Sequence, residues 1–125
     1  MKKAAIFFGT GYEEIEALTV VDLLRRAGVE AVCVAVDNAD SVAGSHGITV
    51  KMDAGIDAVD FDSFDILVCP GGMPGTKNLE ACRKLVDNLH HFYKEGRLIA
   101  AICAAPSIFG HMGLLEGKRS ISMQL

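Results

Sequence analysis

The sequence predicts an α/β domain, a doubly wound parallel sheet covered by helices on both faces. Two observations carry this reading. Short apolar runs that do not alternate, Lys3–Gly9 and Leu98–Ile102 among them, read as strands buried on both faces. Between such runs lie longer stretches whose apolar residues recur at helical spacing, and strands alternating with helices build this architecture. Sites in such sheets form beyond the carboxyl ends of the strands. The chain places Gly- and Pro-bearing loops there, at Gly9–Glu14, Pro70–Gly75 and Cys103–Pro106.

Each element has its own signal. Lys3–Gly9 is a first strand, and Gly9-Thr10-Gly11 turns the chain. A helix follows over Glu13–Ala27, with Ile15, Leu18, Val21, Leu24 and Ala27 as its apolar face. Glu13 and Glu14 suit its positive end, Arg25 and Arg26 its negative end, and Gly28 stops it. Val29–Val36 is β-branched enough for a second strand. Asp37–Ser45 reads as a polar loop and Ile48–Met52 as a short alternating strand. Ala54–Asp65 has no clear period beyond a helical turn before Phe64. Ile66–Cys69 is a strand running into the Gly/Pro loop. A long helix is predicted over Asn78–Glu95, then the Leu98–Ile102 strand and a short helix over Pro106–Met112. Glu116–Arg119 reads as a tight turn entering a further strand at Ser120–Met123.

At 125 residues this is a single domain, 1–125, long enough to bury roughly two-thirds of its unfolded surface. Half of the residues are hydrophobic and 22% are charged, an ordinary globular balance. A net charge of −4 gives no basic footprint, so nucleic acid is not an expected partner. No run approaches a membrane span, and the apolar run after Lys3 is too short for a signal peptide. The four cysteines show neither CxxC pairing nor zinc-type spacing with histidine. Free thiols in a reducing, cytoplasmic setting are therefore expected, with no metal.

Cys103 is the chemical focus. It follows an apolar strand directly, and Ala104-Ala105-Pro106 then start a helix. A cysteine at a strand-to-helix turn is the thiol version of a nucleophile elbow, where the helix end favours thiolate. The alternative is a small buried hydrophobe. Glu16, early in the first helix, points toward the same edge. If it touches Cys103, like-charge repulsion leaves one proton shared between them. Otherwise it is a solvated helix glutamate. Gly71 and Gly72 either bring backbone N–H groups to a reacting carbonyl or serve a loop that needs positive φ.

Gly11-Tyr-Glu-Glu-Ile-Glu16, Val68-Cys-Pro-Gly-Gly-Met-Pro-Gly75 and Ala100-Ala-Ile-Cys-Ala-Ala-Pro106 together resemble the ThiJ/PfpI superfamily. The closer likeness is to the branch of the Parkinson-associated protein deglycase and its bacterial relatives. The resemblance spans the visible chain and implies a flavodoxin-like fold, a homodimer and no cofactor. It implies Cys103 as nucleophile and oxidation-prone thiol, and Glu16 as its protonated partner and general acid/base. Gly72 and Ala104 are implied as backbone oxyanion donors. Ser45-His46 falls where the family often has Ser-Arg, on a loop that reaches the partner's site, so His46 is a possible dimer-contact site residue or a plain exposed loop histidine. The family's domain runs on further, so the chain is expected to lack its C-terminal third. No His or Cys follows Lys118-Arg119, while His90, His91 and His111 lie elsewhere, so a hydrolase-type Cys-His pair cannot be assembled by the family's template.

These residues support three readings of function. The first is a glyoxalase or deglycase acting on a small 2-oxoaldehyde such as methylglyoxal, or on its glycated adducts. The second is an oxidative-stress sensor or chaperone in which Cys103 oxidation is the signal, with an inactive truncated family member as a variant. The third, a nucleotide-binding module, is disfavoured because Glu14 stands where the dinucleotide fingerprint needs glycine.

Overall fold

The computed structural model of the protein describes residues 2–118. A central sheet of parallel strands has the order β5-β2-β1-β6-β7. Its strands are β1 (Lys3–Phe8), β2 (Glu30–Ala35), β5 (Ala54–Gly55), β6 (Ile66–Cys69) and β7 (Leu98–Ala101). The helices are α1 (Glu14–Arg26), α2 (Gly75–Glu80), α3 (Arg83–Lys94) and α4 (Pro106–His111). A small antiparallel hairpin, β3 (Ser41–Ala43) with β4 (Thr49–Lys51), stands apart.

β1 shows why its sequence is apolar throughout. Ala4, Ile6 and Phe8 pack with Ala17 and Val21 of α1 on one face. Ala5 and Phe7 pack with Leu79, Leu85, Leu89 and Phe92 of α2 and α3 on the other. Alternate side chains of one strand thus fill two separate cores, as a doubly covered sheet requires. The chain leaves β1 for β2 on one side and later adds β6 on the other, with Ile6 registered between Cys33 and Val68. The sheet reverses direction at β1, and the loops beyond β1 and β6 meet at that point.

Several sequence expectations change. The Asp37–Ser45 stretch is not all loop, because Val42 is buried and pairs β3 onto β4 opposite Val50. The Ala54–Asp65 stretch contributes β5 and two 3-10 turns, Ile56–Ala58 and Phe61–Ser63, the second being the turn foreseen before Phe64. The helix expected over Asn78–Glu95 is broken at Cys82, which is extended and precedes α3. In one continuous helix Leu79 and Leu85 would sit about 120° apart. The break lets both enter one core.

On α1 the buried face is Glu14, Ala17 and Val21, while Ile15 is 75% exposed. The predicted face was rotated by one position at its start. β7 also departs from the fully buried strand expected of Leu98–Ile102. Leu98 is 65% exposed and Ile102 43%, because among the described residues β7 pairs on one side only, with β6. The predicted strand at Ser120–Met123 lies outside the described residues.

Candidate active site

Cys103 follows β7 with φ 61°, a left-handed conformation that few non-glycine residues adopt. Such strain persists where the surrounding structure over-determines it. Here Ala104 and Ala105 are buried behind the thiol, and Pro106 opens α4. The elbow predicted from the sequence is therefore present, and Cys103 is half-buried at its tip.

Glu16 reaches the elbow from α1. Its Oε1 accepts the Gly71 N–H at 3.1 Å, and its side chain hydrogen-bonds the Cys103 thiol. Gly71 lies between the two. A Cβ there would stand 2.7 Å from Glu16 Oε1, 2.9 Å from Cys103 Cβ and 3.0 Å from the Ile102 carbonyl. Only glycine fits, for close approach rather than for its φ. Gly71 O in turn accepts the Glu13 N–H at 2.9 Å, which ties the β6 loop to the start of α1. Gly72 is the neighbour that needs left-handed freedom: its φ is 97°, and a Cβ would meet Glu13 N at 2.4 Å. Gly72 thus meets the positive-φ reading, while the Gly71 N–H is already donated to Glu16 Oε1. Gly72 follows Gly71 in the chain, and the Ala104 N–H hydrogen-bonds the thiol itself.

The electrostatics differ from a simple thiolate elbow. Burial pushes the Cys103 thiol above its ordinary value, and Glu16 pushes it the same way by hydrogen bond and by charge. The Ala104 N–H acts in the opposite sense, as the elbow reading expects, but does not prevail. Cys33 and Cys69 are further from reactivity. Burial drives them to about 11 and about 12.

His46 is exposed, as its loop position suggested, yet it is well connected. Its Nδ1 lies 3.1 Å from Glu14 Oε1 and 3.8 Å from Glu13 Oε1. In the sequence Glu14 is a charge at the positive end of α1 and a mismatch to the dinucleotide fingerprint, and the structure gives it more. Its carboxylate is buried, with Oε2 accepting the His46 and Ile48 N–H groups at 2.8 and 3.2 Å. Oε1 accepts the Ser45 hydroxyl at 3.4 Å. Burial alone would raise its pKa, but the hydrogen bond to the His46 ring and those from the Glu14, Ile48 and His46 backbone N–H groups together hold it down at about 2. Gly44 lies close under this carboxylate, since a Cβ there would meet Glu14 Cδ at 2.3 Å. No local sequence signal distinguishes Glu14 from Glu13; the distinction comes from the distant 44–48 loop.

Glu13, Glu14 and His46 bring three ligand-type atoms within 4.8 Å of one another. The Glu14 oxygens are already engaged by protein donors, which accounts for the cluster without an ion. Ser45 and Glu14 both contact the same ring nitrogen of His46, so the three do not form a relay through its two nitrogens. His111 stands beside Glu80, on the α2 and α4 side of the molecule.

A strained cysteine beyond β7, bonded to a glutamate from the first helix across a switch point, defines a flavodoxin-like α/β protein with a cysteine elbow. The chain belongs to the DJ-1/PfpI family, whose model matches residues 2–124. It is 38% identical over 120 residues to Protein DJ-1 homolog B of Arabidopsis thaliana, covering 95% of this chain and 27% of that protein. It is 32% identical to a deglycase of Thermococcus kodakarensis, covering 96% of this chain and 71% of that protein. Among solved structures, oxidized Toxoplasma gondii DJ-1 superposes with a TM-score of 0.93 at 37% identity, covering 98% of this chain and 67% of that one. The chain thus spans from about a quarter to about seven-tenths of the length of these relatives.

Proposed function

We propose that the protein is a cysteine-dependent enzyme of the glyoxalase or deglycase type, acting on 2-oxoaldehydes such as methylglyoxal or on their adducts. The observation that carries this reading is the Glu16–Cys103 hydrogen bond at a left-handed elbow. Membership of a family that includes proteins named deglycases supports it.

In this reading the Cys103 sulfur attacks the aldehyde carbon as its proton passes to Glu16. An S–C bond forms and the carbonyl π pair moves to oxygen, where the Gly72 and Ala104 N–H groups meet the developing charge. Glu16 gives the thiol proton to that oxygen, forming a hemithioacetal and freeing its carboxylate. Glu16 then takes the proton from the former aldehyde carbon and returns it to the adjacent ketone carbon, while the hydroxyl proton passes to the former ketone oxygen. The first carbon is thereby oxidised to a thioester and the second reduced to an alcohol, with no external oxidant. Water hydrolyses the thioester, releasing a 2-hydroxy acid and the free thiol. Every step uses side chains and backbone of this chain, so the reading needs no cofactor. We further propose that the working form is a homodimer with His46 near the subunit contact.

The test is methylglyoxal consumption with lactate as product. Wild type turns over and Cys103→Ser does not. Turnover that survives Cys103→Ser removes the proposal.

A second reading is that Cys103 senses oxidants. Its thiol is half-exposed, as is that of Cys82, while Cys33 and Cys69 are buried, and a similar structure is of an oxidized DJ-1. It predicts sulfinate on Cys103 after mild peroxide with negligible aldehyde turnover. Absence of that sulfinate counts against it.

A further inference from the structure

Both carboxylates placed beside Cys103 carry negative charge toward it. Glu16 hydrogen-bonds the thiol, and Glu13 caps the same helix, its Oε2 accepting the Glu16 N–H at 2.9 Å. Glu13 N–H donates to Gly71 O at 2.9 Å, and Gly71 in turn lies against Cys103 Cβ. The Glu13 backbone is thus tied to the thiol's neighbour Gly71, its carboxylate caps the helix that carries Glu16, and its charge pushes the thiol up less than burial and Glu16 do. Glu13, Glu16 and Cys103 are all partly open to solvent. Among the described residues no Lys or Arg forms an ion pair with Glu13, Glu14 or Glu16; the basic group paired with Glu13 and Glu14 is His46.

We infer that Glu13 makes Cys103 selective for neutral electrophiles over anionic ones. This rests on Cys103 being the reacting group of the proposed function, and it names the substrate class. Uncharged 2-oxoaldehydes and neutral adducts react, whereas aldehydes bearing a carboxylate or phosphate are held off. One unit charge at several ångströms, through a dielectric between those of protein and water, corresponds to about tenfold in rate. The positive end of α1 offsets part of this, and salt screens it.

Glu13→Gln isolates the charge, because the amide oxygen still accepts the Glu16 N–H. The experiment is alkylation of the full chain at pH 8 by iodoacetamide and, separately, by iodoacetate, resolved by peptide mass spectrometry. N-acetylcysteine amide, which carries no carboxylate, serves as the free-thiol reference. In each reaction an S–C bond forms, the C–I bond breaks and iodide leaves with the electron pair; the thiol proton goes to buffer. The same thiolate attacks both reagents, so the ratio of the two rates cancels any change in thiolate fraction.

The ratio of iodoacetamide to iodoacetate rates at Cys103 is expected to exceed the reference by about tenfold in wild type at low salt. It falls by about threefold or more in Glu13→Gln, and toward the reference as salt is raised on the wild-type chain. The salt series carries the test if Glu13→Gln does not fold. A wild-type ratio equal to the reference, a ratio unmoved by Glu13→Gln and by salt, or a Cys103 inert to both reagents overturns the inference. Selectivity without methylglyoxal turnover removes the enzyme reading and its substrate class, and leaves only the charge effect of Glu13 on Cys103 reactivity standing. Turnover without selectivity does the reverse.

Discussion

Glu16 reaches from α1 across the end of the sheet to hydrogen-bond Cys103, and the same carboxylate is pinned by the Gly71 N–H at 3.1 Å. The pair joins the first helix of the chain to the turn after β7, two segments that meet only because β1 and β7 flank β6. The contact sets a carboxylate against the thiol of Cys103. That is the arrangement a proton shuttle requires.

Glu16→Gln separates the two parts of that relationship. Gln keeps the acceptor for Gly71 N–H but carries no charge and cannot shuttle a proton. Methylglyoxal turnover should fall by about 10²- to 10⁴-fold, the usual contribution of general acid–base catalysis. Iodoacetamide labelling of Cys103 at pH 7 should rise, because a cause of the raised thiol pKa is gone. Turnover and labelling moving in the same direction would show that Glu16 acts in another way.

Gly71→Ala should abolish turnover and destabilise the fold. The added methyl would stand 3.0 Å from the Ile102 carbonyl, which is backbone and cannot swing aside, and closer still to Glu16 and Cys103. Overpacking of this kind costs about 1–3 kcal/mol. Chemical denaturation measures the loss, and the activity assay reports the displaced pair. An alanine variant of wild-type activity would contradict the close approach at Gly71.

Glu14 sets an acid limb of stability. Its pKa is about 2 in the folded protein against an ordinary 4.5, so the unfolded chain takes up its proton first as pH falls. The stabilisation is fully present above about 4.5 and is lost progressively as pH drops through 2. Urea unfolding between pH 7 and pH 3 should show a decline that is shallower in Glu14→Gln. That variant is also less stable at pH 7, because an amide cannot offer two acceptor oxygens to Ser45, His46 and Ile48. Parallel declines in the two proteins would contradict this role.

Much of this was legible in the sequence. The apolar runs and helical periods pointed to the α/β architecture because both are set by the local pattern of side chains. The Gly/Pro loops and the cysteine followed by Ala-Ala-Pro located the site, because sharp turns need those residue types. Three features were not legible, each because it is decided by a distant segment. Glu14 displaces Ile15 from the buried face only because the 44–48 loop supplies its donors. The break at Cys82 depends on where Leu79 and Leu85 meet the sheet. The direction of the Cys103 pKa depends on burial and on Glu16, and the local helix end alone suggests the opposite sign. Ile102 and Leu98 show a similar limit: an apolar strand reads the same whether or not a neighbour covers it.

The central claim, that Cys103 is governed by Glu16, is tested most directly by the pH profile of Cys103 alkylation by iodoacetamide, resolved by peptide. In wild type the rate should keep rising past the ordinary thiol range, with Cys33 and Cys69 nearly silent. In Glu16→Gln the whole profile should move to lower pH. A wild-type profile that levels off below pH 7, or one that Glu16→Gln leaves in place, would contradict the account.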